Sequence, residues 1–374
     1  MGSSELTAYI IGLLLVSLAG VGTGAGAWPF KCAKDIRMEI YLFVWALLAL
    51  VIAPWGVTLF CVPDIGAVVE SDGWKTLLLS NALSCSWGIA NVLYMVCVIK
   101  IGAALTGAIL GAVAMAIGML LPLVVKGSGQ FSNAPDLLSP AGILILFSLA
   151  VVILGIVLVT LAGISRESAM KDVNEAERKK RASGNFLEGL LLVTLAGILS
   201  TGLSLSFVYS QNAVTAAIQA QNAGGLLTES FAPWAFSVVG GALVQLVIAS
   251  ISLTRKKMWG LFFDRPAEVV FGALAGLQFF ASLLCLGRGM LLLGALGASI
   301  GFGIQQSIQT VANQLVGFIG GEWKGVKGVS RWTMYSAVYA ILIAVALLSF
   351  SKSFEQKTDD AQVPAPPAAE ANDQ

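Results

Sequence analysis

Histidine is absent from the 374 residues. That removes the commonest general base, the commonest metal ligand and the usual proton switch near neutral pH. Charge is scarce as well: Asp, Glu, Lys and Arg make up 11% of the chain, against about 25% in soluble domains. The net charge of +1 offers no basic face to a nucleic acid, and no such partner is expected. The five cysteines (Cys32, Cys61, Cys85, Cys97 and Cys285) are scattered, with no CxxC pair. They read as small apolar packing residues, so no metal centre and no cofactor is expected. No cleavable signal peptide of the usual kind is expected either, because MGSSE lacks a basic region and the first apolar stretch runs on too long.

Apolar residues fill the space that charge leaves. They make up 57% of the chain, more than a soluble core can absorb, so the chain reads as an all-α integral membrane protein. Ten stretches are long enough to span a bilayer: 6–27, 38–60, 76–98, 102–125, 140–162, 187–209, 232–253, 267–287, 290–318 and 332–350. Backbone in lipid must satisfy its own hydrogen bonds, which makes each stretch a helix, and the strand alternation of a β-barrel is missing.

A phrase in the first stretch returns in the sixth. Residues 12–20 read GLLLVSLAG and residues 189–197 read GLLLVTLAG. Five helices per copy is an odd number, so the second copy must enter the membrane from the other side. The expected organisation is therefore a 5+5 inverted-topology repeat. The first repeat is 1–162, a charged linker 163–186, the second repeat 187–352, and a disordered polar tail 353–374. Seventeen of the 22 basic residues fall in the loops after the odd-numbered stretches and in the linker. By the positive-inside rule those loops are cytoplasmic and both termini lie outside, across a bacterial inner membrane. The linker RESAMKDVNEAERKKR mixes acids with bases and reads as a short surface helix or a mobile connection.

Polar residues inside spans are costly in lipid and face the bundle interior. In the third stretch Ser84, Trp87, Asn91 and Tyr94 share one helical face. In the ninth, Phe302, Gln306, Gln309 and Asn313 do the same, flanked by Gln305 and Gln314. Amides both donate and accept, which matches vicinal hydroxyls, and aromatic rings cover the apolar face of a sugar. The set suits an uncharged, hydroxylated ligand; the competing reading is interhelical hydrogen bonding worth about 0.6 kcal/mol per residue. The glycine run GVGTGAG at 20–26 reads as close helix packing or as a sliding surface. Carboxylates are missing at mid-depth: Glu39, Glu188, Glu268 and Glu322 fall at predicted cytoplasmic ends, Asp64 and Glu229 in outer loops. Arg288, between the eighth and ninth stretches, could hold an anion or snorkel to the interface. An enzyme would need an activated nucleophile, a base or a metal cluster, and none is in view.

The segments AWPFKCAKDIRME (27–39), APWGVTLFCVPD (53–64), WGIANVLY (87–94), GILSTGLSLSF (197–207), LQFF (277–280) and GEW (321–323) resemble the bacterial L-rhamnose–proton symporter family of the drug/metabolite transporter superfamily. The resemblance runs from the first stretch into the tenth. It implies a central cavity between the third, fourth, eighth and ninth helices and uptake of a 6-deoxyhexose with protons as coupling ion. It assigns Trp87, Asn91 and Tyr94 to the helix-3 segment and Gln278, Phe279 and Phe280 to the helix-8 segment. The glutamine set of the ninth stretch departs from that family's pattern. The expected substrate-binding set is thus Trp87, Asn91, Tyr94, Gln278, Gln305, Gln306, Gln309 and Asn313, in a secondary transporter of a neutral monosaccharide. The alternative is an exporter of the same superfamily or an uncoupled facilitator.

Overall fold

The computed structural model describes residues 3–29, 36–101, 103–124, 136–169, 185–225, 228–294, 300–320, 323 and 328–362. The described residues form helices joined by short turns, with no strand among them. In chain order the helices are α1 (Ser3–Gly24), α2 (Met38–Cys61), α3 (Ile65–Asp72), α4 (Trp74–Ile101) and α5 (Ala103–Val124). Then come α6 (Pro140–Ala169), α7 (Asn185–Ser200), α8 (Gly202–Ala220), α9 (Thr228–Ser237) and α10 (Val239–Arg255). The chain closes with α11 (Leu261–Asp264), α12 (Pro266–Leu293), α13 (Phe302–Ile319) and α14 (Val329–Gln362). Seven helical segments are long and apolar enough to cross a membrane, or eight if the bent pair α9–α10 is one span.

Several boundaries differ from the sequence expectation. The predicted ninth span, 290–318, divides: α12 continues to Leu293, and Gly294, at φ +70°, ends it with a backbone conformation that favours glycine. The amide-rich helix begins only at Phe302. Its glutamines lower its hydropathy, so α13 is not one of the apolar membrane-length helices. The predicted sixth span continues through α8, making one apolar stretch over Glu188–Ala220. The final helix runs on to Gln362, beyond the predicted end at 350, while residues 363–374 and most of the charged linker (170–184) lie outside the described residues.

The packing has the logic of a protein dissolved in lipid. Large apolar side chains such as Leu14, Phe60 and Leu154 face outward, 64%, 92% and 56% exposed, while Val16 and Ala19 on α1 are wholly buried. Where helices touch, glycine lets backbones approach. A Cβ on Gly20 would stand 2.6 Å from the Gln305 carbonyl oxygen, and one on Gly24 would stand 2.3 Å from that of Gln309. Gly20 and Gly24 therefore form the seam between α1 and α13, while Gly22 packs against Ser282 on α12.

Two helices deviate from regular geometry. α2 contains a π-helical turn at Leu48–Ile52, just before Pro54. α9 and α10 are bent by 55° at Val238. Backbone groups freed by such a bend need partners inside the protein, and α4 supplies them. Asn81 Nδ2 donates to the Phe236 carbonyl, Asn81 Oδ1 accepts from Gly240 N, each at 2.9 Å, and Ser84 Oγ accepts from Gly241 N at 2.7 Å.

Three ionic contacts gather at one end of the bundle and define its basic end. Lys100 at the end of α4 meets Glu188 on α7 at 2.8 Å, and Lys256 after α10 pairs with Glu39 on α2. Glu268 on α12 accepts from Arg265 Nη1 at 2.9 Å and from Arg37 N at 3.1 Å.

Candidate functional site

A cavity of about 310 Å³ lies between α1, α2, α4, α5, α7, α8, α10, α12 and α13. It falls at the lower end of the roughly 300–1,000 Å³ typical of small-molecule sites. Seven of the predicted residues line it: Trp87, Asn91, Tyr94, Gln278, Gln305, Gln306 and Gln309. Among the described residues, none that lines it carries a formal charge.

Asn313 departs from the expectation. It is exposed and does not line the cavity. α1 closes against α13 at Gln309 and Ala312, so the next turn of α13 has already passed the cavity. Ser84 shares its helical face with the lining residues, yet its hydroxyl is spent on Gly241 N at the α9–α10 bend. Arg288 lies within α12 rather than between spans, and Glu229 lies in the first turn of α9 rather than in a loop. Gln245 is a site residue that the sequence reading passes over. It is wholly buried and lines the cavity, and a lone amide in the apolar run LVQLV was the available signal.

Hydrogen bonding separates the amides into two groups. Gln278 is a brace: its Oε1 accepts from Trp28 Nε1 and its Nε2 donates to the Gly22 carbonyl, both at 2.7 Å. It ties α12 to the end of α1. Gln305 is a second brace, its Nε2 donating to Thr23 Oγ1 and to Gln309 Oε1, each at 2.9 Å. Asn91 Nδ2 donates to Gln245 Oε1 at 3.3 Å, leaving Asn91 Oδ1 open. Gln309 keeps its Nε2, and the Gln306 side chain makes no hydrogen bond to a described residue. The braces fix the wall, and Gln306, Gln309 and Asn91 present unused donors and acceptors to whatever enters.

Aromatic rings form another part of the wall. Trp87 stacks on Phe279 with centroids 6.2 Å apart and planes 9° apart, and Phe279 meets Trp45 at 4.9 Å. The amides lie toward the basic end. Toward the opposite end, Leu283 and Leu286 follow Gln278 on α12, and Phe302 precedes Gln305 on α13.

The model of the L-rhamnose-proton symport protein family matches residues 6–353. The chain belongs to that family. Membership makes it a multi-pass membrane carrier and not an enzyme. Among individual relatives, the L-rhamnose-proton symporter of Yersinia pestis (strain Pestoides F) is 24% identical over 326 residues, covering 85% of this chain and 90% of the relative. That of Pectobacterium atrosepticum is 27% identical over 305 residues, covering 80% and 85%.

Proposed function

We propose that this chain imports a neutral 6-deoxyhexose, L-rhamnose, together with a proton, by alternating access across a bacterial inner membrane. The observation that carries the reading is the uncharged cavity, with aromatic walls and amides that have spare hydrogen-bonding capacity. Amides can match a run of hydroxyls in either sense, and a site without charge has no preference for sugar acids or amino sugars. In this reading Gln306, Gln309, Asn91 and Tyr94 hold the hydroxyls, Trp87 covers the apolar face of the ring, and Gln278, Gln305 and Gln245 hold the binding residues in register.

Alternating access rests on a ten-span, 5+5 inverted repeat within the drug/metabolite transporter superfamily, with repeats at 1–162 and 187–352, a linker at 163–186 and a polar tail at 353–374. Packing around the duplicated phrase supports it. In the first copy, Gly12 abuts the Gly289 carbonyl on α12, and Gly20 abuts Gln305 and Ile308 on α13. In the second copy, the Gly189 carbonyl accepts from Cys97 Sγ on α4 at 3.7 Å, and Gly197 abuts Leu110 and Val113 on α5. Each phrase thus meets the third helix of the other repeat with its first glycine and the fourth with its last. The irregular helices α2 and α9–α10 also occupy the same place, second in each repeat. The distribution of basic residues supports cytoplasmic placement of the basic end and outer placement of both termini.

The test is L-rhamnose uptake into proteoliposomes holding the full chain. Uptake in the native protein that is abolished in Asn91→Ala and Gln309→Ala, with both variants normally inserted, is expected. Native uptake in both variants would remove the site assignment.

A further inference from the structure

We propose that Glu229 is the carboxylate that carries the coupling proton, parting from Arg288 when it is protonated. The inference rests on the symport reading and supplies the acidic residue that reading otherwise lacks.

The described carboxylates differ in what holds them. Both Glu268 oxygens are engaged, by Arg265 and by the Arg37 amide. Glu39 is held by Lys256, and Glu188 pairs with Lys100 at an exposed site. Glu229 stands at the opposite end of the bundle, its side chain 17% exposed. Its Oε2 lies 3.3 Å from Arg288 Nη1, longer than the ~2.7–2.9 Å usual for a charge-assisted bond. Its Oε1 accepts from Gln219 Nε2 at 2.9 Å, and Gln219 is exposed, so water at this end reaches the carboxylate's immediate neighbour.

A seam of unpartnered polar atoms leads from this pair toward the cavity. Leu203 on α8 lines the cavity, and Phe207, Gln211, Thr215 and Gln219 follow at four-residue steps, a row that winds about the helix from the cavity toward α9. Phe207 stacks on Trp234 of α9 at 4.2 Å, and Gln219 meets Glu229. Between these two anchors Gln211 Oε1 and Thr215 Oγ1 are buried with no partner among the described residues, as are Trp234 Nε1 and Arg288 Nε on the facing helices. Buried groups of this kind are ordinarily bridged by water. The seam is therefore a hydrated route between the carboxylate and the substrate cavity, shut at its inner end by the Phe207–Trp234 stack.

The direction of coupling follows from charge. At this end of the bundle, the titratable and charged groups on helices packed against α9 are Cys61 of α2, Lys75 and Cys85 of α4, Tyr209 of α8, and Cys285 and Arg288 of α12; α10 presents none there. Among the described residues, Arg288 is the cation placed on the Glu229 carboxylate. A proton from water on this side adds to the carboxylate and gives the neutral acid, while Arg288 keeps its charge and loses its counter-ion. The proton is returned to water on the other side when the pair re-forms. Proton binding thus favours separation of α9 from α12, and separation favours proton binding to the same extent.

The experiment uses the full chain in proteoliposomes with a pH-sensitive dye outside. The native protein is expected to make the outer medium more alkaline when L-rhamnose is added. Glu229→Gln should lose that alkalinisation while L-rhamnose still protects the purified variant against heat. Glu229→Asp, which keeps the carboxylate, should recover it, and Glu268→Gln should retain it. Alkalinisation at the native rate in Glu229→Gln would overturn the proposal. Should Glu229→Gln fail to insert, labelling of the native protein with dicyclohexylcarbodiimide decides: modification of Glu229 that increases as pH falls supports the proposal, and an unmodified Glu229 overturns it. A native protein that binds L-rhamnose without any alkalinisation would instead refute the symport reading itself.

Discussion

Trp87 on α4 and Phe279 on α12 lie face to face across the cavity wall, ring planes 9° apart and centroids 6.2 Å apart. Each occupies the fourteenth position of a 28-residue helix, α4 beginning at Trp74 and α12 at Pro266. The two rings hold the helices apart at mid-length and leave the adjoining space to the amides. Trp87→Ala should weaken L-rhamnose binding about tenfold, on the ~0.5–1.5 kcal/mol scale of an aromatic contact beyond its buried area. Trp87→Phe should retain most of the affinity. Ligand-dependent thermal stabilisation of the purified variants measures both.

Gln305 and Gln306 are neighbours in sequence with opposite duties. Gln305→Ala removes the bonds to Thr23 and Gln309 and should lower thermal stability by about 1 kcal/mol, the net contribution of such bonds to half-buried partners. Gln306→Ala breaks no bond to a described residue and should leave unliganded stability within about 0.5 kcal/mol of native. It should weaken sugar affinity by about tenfold, the upper part of what one neutral hydrogen bond contributes. Melting curves with and without L-rhamnose separate the two effects.

Gly24→Ala tests the α1–α13 seam. The added methyl would sit 2.3 Å from the Gln309 carbonyl and 2.8 Å from the Ala312 Cβ, so the helices must separate. A loss of about 1–3 kcal/mol is expected, together with weaker sugar binding because Gln309 moves. Gly56→Ala, which meets nothing within 4 Å, is the control and should behave as native.

The bend between α9 and α10 depends on one side chain using both ends of its amide. Asn81→Leu should destabilise the protein by about 2 kcal/mol or more, because the Phe236 carbonyl and the Gly240 amide both lose their partner. Asn81→Asp can still accept from Gly240 but cannot donate to Phe236, and should fall between native and Asn81→Leu in chemical or thermal unfolding.

The helical segments were legible because lipid imposes a strong rule: long apolar runs must be helices. The faces carrying Trp87, Asn91 and Tyr94, and Gln306 with Gln309, were legible because polar residues in such runs stand out at helical spacing. The limits have equally physical causes. The end of α12 is set by the backbone of Gly294, one glycine among many in that region. The division of the amides into braces and open donors depends on partners such as Thr23 and Trp28, 282 and 250 residues away. Glu229 looked like a loop acid because its partner, Arg288, is 59 residues distant. Ser84 lies on the predicted face, but the α9–α10 bend that consumes it has no local sequence mark beyond Gly240 and Gly241.

The central claim is an uncharged pocket that recognises hydroxyls, and ligand-dependent stabilisation of the purified full chain tests it most directly. L-rhamnose should raise the unfolding temperature in a concentration-dependent manner, reaching about 2.7 kcal/mol of stabilisation at a hundred times its Kd. L-rhamnonate, with a carboxylate and no cation in the cavity to meet it, should not. Equal stabilisation by the acid, or none by the sugar at any concentration, would contradict the account.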